Sequence, residues 1–142
     1  MKQMTLMTLA AAVVATLAAI SPALAHHSHA MFDVSKVTEI TGVVTAVRYA
    51  NPHVYLQMRA THRDGKPLEP NQTWAIEMST VQNMAQRGIT PNLLPYGTTV
   101  VVKVNPLFSG GPSGNYTNMV MINGVKNTST EEDWKPAAAT PR

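Results

Sequence analysis

The chain has 142 residues, 11 Lys and Arg against 8 Asp and Glu, no cysteine, and 44% hydrophobic residues. That length suits one domain, and the missing cysteine excludes disulfides, thiol nucleophiles, iron–sulfur clusters, thiolate zinc sites and a lipoprotein anchor. A formal charge of +3, dispersed along the chain, leaves no footprint for nucleic acid.

Residues 1–25 read as a secretory signal peptide. Lys2 gives a short basic start, and Met4 to Ile20 is an apolar run broken only by small hydroxyl residues. Ser21 and Pro22 interrupt it, and Ala23-Leu24-Ala25 is an A-x-A cleavage site. The run falls short of the roughly 20 clean apolar residues of a membrane span, and no later segment reaches that length. The expectation is a bacterial periplasmic or secreted protein, cleaved after Ala25 and without a membrane span. His26-His27-Ser28-His29-Ala30-Met31-Phe32-Asp33 then opens a His-rich leader that extends over residues 26–36.

A β domain is predicted over residues 37–127. Val37 to Tyr49 reads as one long strand, bent or bulged at Gly42, and Asn51-Pro52 breaks it. His53 to Arg59 alternates, with Val54, Leu56 and Met58 on one face and His53, Tyr55 and Gln57 on the other. Arg63-Asp64-Gly65-Lys66 is a turn, followed by loop. Thr73 to Met78 alternates again, with Trp74, Ile76 and Met78 on the apolar face. Matching the apolar faces in a hairpin sets Leu56 near Ile76 and Tyr55 near Glu77, so that His53 and Glu77 share the polar face.

Ser79-Thr80-Val81-Gln82 reads as a capping box with Ser79 as N-cap. A short helix runs to Arg87 and stops at Gly88, with Val81, Met84 and Ala85 as its apolar side. Thr90-Pro91 starts a further helical turn. Thr98 to Val104, apolar on both faces, reads as a central strand. Asn105 to Asn115 holds Pro106, Gly110, Gly111, Pro112 and Gly114 and reads as a mobile loop. Tyr116 to Ile122 is the last strand, Asn123-Gly124 a hairpin-type turn, and residues 128–142 a flexible tail. The β-β-β-α-β-β order predicts an all-β chain with one short helix, folded as a small five-stranded OB-like Greek-key barrel. An open antiparallel sheet plus helix is the alternative.

No catalytic motif supports an enzyme. Gly-x-Ser-x-Gly is absent, the Gly-rich stretch at 110–114 lacks the phosphate-loop lysine, and Glu77 has no partner carboxylate in the pattern. The histidines carry the chemistry instead. After cleavage, His26 would offer both an α-amine and an imidazole, and His53 a third nitrogen, a brace suited to Cu(II). His27 or His29 would be auxiliary ligands, Met31 a soft sulfur donor, and Glu77, with Tyr55 beside it, an outer partner. Nickel or zinc are the alternative metals. The role would be copper delivery, storage or stress protection, with a periplasmic protein or metal donor as partner. A copper oxidase or monooxygenase is a weaker variant.

Plainer readings of the same residues exist. The leader can be a solvated end, His53 a loop histidine, His62 simply exposed, and Met58, Met78, Met84, Met119 and Met121 core filler. A second function follows from the barrel alone, with no metal. It is a binding module for a small anionic ligand, a glycan or a partner protein, using Arg48, Tyr49, Tyr55 and the 105–115 loop. Trp74 is counted with this ligand face, although its alternation with Ile76 assigns it to the core.

Several motifs in order carry a resemblance. They are Ala25-His26-His27-Ser28, Phe32-Asp33, Thr41-Gly42-Val43-Val44, Asn51-Pro52-His53, Trp74-Ala75-Ile76-Glu77, Arg87-Gly88 and Asn105-Pro106-Leu107. Over residues 25–125 the chain resembles an uncharacterised family of small exported bacterial proteins, a domain of unknown function. The resemblance implies export and a single small β domain, and it assigns no activity. At His29 the chain departs from the family's usual aromatic residue.

Overall fold

The computed structural model describes residues 29–70, 72–129 and 132–138. Contacts divide the chain after Met31. The described part of the first unit is a single 3₁₀ turn, His29–Met31. The second unit holds strands β1 (Thr38–Arg48), β2 (Tyr55–Arg63), β3 (Lys66–Pro67) and β4 (Thr73–Glu77). Helix α1 (Val81–Gln86) follows, and then β5 (Thr99–Pro106), β6 (Ser113–Ile122) and β7 (Val125–Lys126).

Five of these strands close a barrel. β1 pairs with β2 on one side and β5 on the other, and the path β5–β6–β4–β2 completes the ring. The β4–β6 pairing is parallel and the others are antiparallel. With α1 between the third and fourth barrel strands, this is the OB-like Greek-key closure expected from the element order. β3 and β7 are two-residue additions to β2 and β6.

β1 is bent so that it can serve both neighbours. Its register against β2 shifts between Thr41 and Gly42 and again between Val44 and Ala46. At Gly42 a Cβ would run into the Arg59 carbonyl oxygen and the Met58 side chain, so only glycine lets the backbones approach there. The second shift inverts the alternation. Ile40 and Val44 point into the core, whereas Ala46 and Arg48 face outward.

The core is filled from every barrel strand: Ile40 and Val44, Leu56 and Met58, Trp74 and Ile76, Val100, Val102 and Val104, and Met119. Met78 and Met84 close it from beyond β4 and from α1. β5 is buried on both faces, as its unbroken valines predicted.

Four expectations need correction. The N-cap of α1 is Thr80, whose Oγ1 accepts from the Asn83 amide at 3.2 Å. The Ser79 carbonyl still accepts from the Val54 amide, so the helix starts one residue later than the capping box suggested. Ala85 is exposed, and Met84 carries the buried side of the helix. The Gly/Pro-rich loop contracts to residues 107–112, because Asn105 and Pro106 continue β5, and Ser113 and Gly114 begin β6. A Cβ at Gly114 would lie 2.5 Å from Val104 Cγ2, so this glycine serves strand packing and not a loop.

Described residues of the predicted leader and tail are bonded to the barrel. Phe32 is buried and bridges Leu107, and the Asp33 amide donates to the Pro106 carbonyl at 2.8 Å. At the other end, Asn127 clamps residues 132–138 onto the barrel. Its Nδ2 donates to the Met119 and Asp133 carbonyls, and its Oδ1 accepts from the Ser129 and Lys135 amides. The Tyr116 hydroxyl donates to the Glu132 carbonyl, Arg87 pairs with the Glu132 carboxylate, and Trp134 packs against the core.

Candidate functional site

The turn after β1 places the first functional side chain. The Asn51-Pro52 peptide is cis, and Asn51 Oδ1 accepts from the Val81 amide at 3.1 Å. Val54 then exchanges backbone bonds with the end of the third barrel strand. Its amide donates to Ser79 at 3.0 Å and its carbonyl accepts from Met78 at 2.8 Å. The segment is held at both ends, which brings His53 onto Glu77.

His53 Nδ1 lies 2.5 Å from Glu77 Oε1, with the two side chains 23% and 7% exposed. A carboxylate so deeply buried is costly without polar partners. Tyr55, directly opposite Glu77 across β2 and β4, is coupled electrostatically through its hydroxyl to the same carboxylate. Burial, first, and then the Glu77 charge push the Tyr55 phenol above its ordinary value, while Arg48 pulls it partly back. The Arg48 guanidinium sits over the Tyr55 ring, 5.9 Å from its centre. Among the described residues, no ion pair engages Arg48.

These side chains form two parallel rows on the outer face of the barrel. Arg48, Tyr55 and Glu77 are direct neighbours across β1, β2 and β4. The next row is Ala46, Gln57 and Ala75. Two alanines flanking a glutamine lower the surface beside the arginine and tyrosine. The result is a cavity of about 360 Å³ lined by Ala46, Val47, Arg48, Tyr55, Gln57 and Ala75.

The structure thus brings together four of the residues singled out in the sequence: His53, Glu77, Tyr55 and Arg48. It separates two others from the groove. The Tyr49 hydroxyl donates to the Ile89 carbonyl at 2.9 Å, its ring packs on the core, and burial raises its phenol. Trp74 is 1% exposed, pairs with Met58 inside the barrel and donates Nε1 to Gln72 Oε1. Its placement on the ligand face is therefore corrected, because the inward phase of β4 decides it. Nor does the 107–112 loop line the cavity. His26 and His27 lie outside the described residues, and His29 is described only as the start of the 3₁₀ turn.

Sequence reasoning missed Ala46, Gln57 and Ala75 as lining residues. Gln57 opposite Ala75 was available once Tyr55 was set opposite Glu77. Ala46 was not, because the shift after Val44 moves it to the outer face.

Among the described residues, no three His, Cys, Asp or Glu side chains gather as a metal-binding group. Among them, too, no helix is long and apolar enough to cross a membrane. The model of a family of unknown function, DUF6152, matches residues 13–118. No curated protein and no solved structure matches the chain.

Proposed function

We propose a role for this chain from its own residues, because it belongs to DUF6152, a family whose function is unknown. The barrel is a binding module, and its ligand is a small molecule carrying a carboxylate. The observation that carries this reading is the outer-face groove with the Arg48 guanidinium at its rim. OB-type barrels bind ligands on the face of their second and third strands. Here that face is made by β2 and β4. Arg48 presents a planar fork of donors that matches a carboxylate, and Gln57 offers both a donor and an acceptor. The Glu77 charge that would repel such a ligand is turned inward onto His53 and Tyr55. The signal-peptide pattern of residues 1–25 supports export as part of this reading.

The test is titration calorimetry with galacturonate and with neutral galactose as probes. Galacturonate should bind and galactose should bind at least tenfold more weakly. Arg48→Ala should cost about tenfold in galacturonate affinity, the worth of one charge-assisted hydrogen bond. Equal binding of the two sugars, or indifference to Arg48→Ala, overturns the proposal.

A second reading, copper binding, rests on the histidines of the leader sequence and on the His53–Glu77 contact. A carboxylate on Nδ1 fixes the imidazole tautomer and orientation that metal ligation through Nε2 uses. Its test is the intact mass of the exported protein with one equivalent of Cu(II). A chain beginning at His26 that retains copper, and loses it in His26→Ala and His53→Ala variants, supports this reading. No retention by the native chain removes it.

A further inference from the structure

We propose that the ligand is a stretch of an acidic oligosaccharide that lies along β2 from Arg48 to Arg59. This rests on the groove reading above and extends it from a single carboxylate to a chain of them.

Three observations carry the proposal. The first is phase. Tyr55, Gln57 and Arg59 alternate with the buried Leu56 and Met58, so they share the outer face of β2. Arg48 stands opposite Tyr55, and four residues further along β2 comes Arg59, about 13 Å away at ~3.3 Å per residue. Two guanidinium groups thus mark the two ends of one strand face.

The second is shape. A further cavity of about 270 Å³ is lined by Arg59, Ala60, Thr61, Leu68, Glu69 and Pro70. Gln57 lines the first cavity and Arg59 the second. Successive outward residues of β2 therefore border two separate depressions, which suits a repeating polymer better than a compact molecule.

The third is chemistry. Among the described residues, no ion pair engages Arg59 either. Between the arginines the face carries groups suited to sugar hydroxyls: the Gln57 amide and Thr73, which stands opposite Arg59. Single-stranded nucleic acid would want aromatic faces on which bases stack. Tyr55 is the aromatic side chain of this stretch of β2, and Arg48 already covers its ring. A carboxylated glycan needs charge, amides and hydroxyls, and these are present. Glu69 is the opposing charge at the far cavity, which gives the proposal a second sign to test.

The experiment compares galacturonate, trigalacturonate and the oligonucleotide dT6 as probes of the full mature chain, its Arg59→Ala variant and its Glu69→Gln variant. Circular dichroism melting confirms that each variant is folded. Trigalacturonate should bind the native chain at least tenfold more tightly than galacturonate. Arg59→Ala should remove most of that gain while changing galacturonate affinity less than twofold. Glu69→Gln should tighten trigalacturonate severalfold. No gain with length, or a gain untouched by Arg59→Ala, overturns this proposal while the single-carboxylate groove stands. Tighter, Arg59-dependent binding of dT6 overturns it in favour of nucleic acid. If galacturonate also fails to bind through Arg48, the groove reading falls with it.

Discussion

A carboxylate with 7% exposure, such as that of Glu77, is compatible with folding only while polar groups face it. His53 Nδ1 and the Tyr55 hydroxyl are those groups. Glu77→Ala would leave His53 Nδ1 without its acceptor, at a cost of about 1–3 kcal/mol by urea denaturation. Tyr55→Phe, which removes only the hydroxyl, should cost about 1 kcal/mol or less. The same residues set the response to pH. Tyr55, Tyr49 and Tyr116 all have phenols raised above 10.0, chiefly by burial. A raised phenol keeps its proton in the fold where the unfolded chain has lost it. Its contribution is complete below pH 10 and disappears as pH rises through the folded value. Melting temperature should therefore fall above pH 10, and less steeply in Tyr55→Phe. Asp33 acts at the other end. The hydrogen bond from Lys36, then that from Ser35, hold its carboxyl below 3.8. Its contribution is complete above that value and is lost as pH falls through the lower folded one. Asp33→Asn should flatten acid unfolding below pH 4, measured by tryptophan fluorescence.

At the scale of the element, the pairing of β2 with β4 was legible because strand side chains have a period of two. A slip of one residue would bury Tyr55, Gln57 and Glu77 together or expose Leu56 and Ile76. The start of α1 was less legible. Ser79 and Thr80 are both good caps, and the choice depends on how far the strand pairing runs. Since Ser79 is still bonded to Val54, Thr80 is the cap. Thr80→Ala should then cost about 1 kcal/mol in a urea titration, and Ser79→Ala less. The groove itself was hidden for a related reason. The alternation along β1 reverses after Val44, so a count carried straight through assigns Ala46 to the wrong face. Gly42 shows the close approach that accompanies this bending. Gly42→Val would force a branched side chain against the Arg59 carbonyl and should cost about 3 kcal/mol or more.

For the molecule as a whole, the order of elements was sufficient to reach the barrel, because one helix between the third and fourth strands leaves few ways to close it. The strap at residues 132–138 left no such trace. Its composition reads as loose, and the side chain with most bonds to it is Asn127, whose partners lie on both sides of it in sequence. Asn127→Ala should release the strap and lower stability by about 2–3 kcal/mol, with faster amide exchange at Trp134 and Lys135.

The parallel seam between β4 and β6 also governs time. Ala75, Ile76 and Glu77 meet Ser113, Gly114 and Asn115 across nearly forty residues of chain. The β1–β2–β4 meander, by contrast, joins strands that follow one another in sequence. Loop closure must come before such a distant pairing gives any return, so the meander should assemble before the seam. Substitutions on the seam, such as Ser113→Ala, should speed unfolding and leave the folding rate almost unchanged. Substitutions in the meander, such as Leu56→Ala, should slow folding itself. The groove is built on that early meander, so its arginine, tyrosine and glutamine are in place before the barrel has an inside.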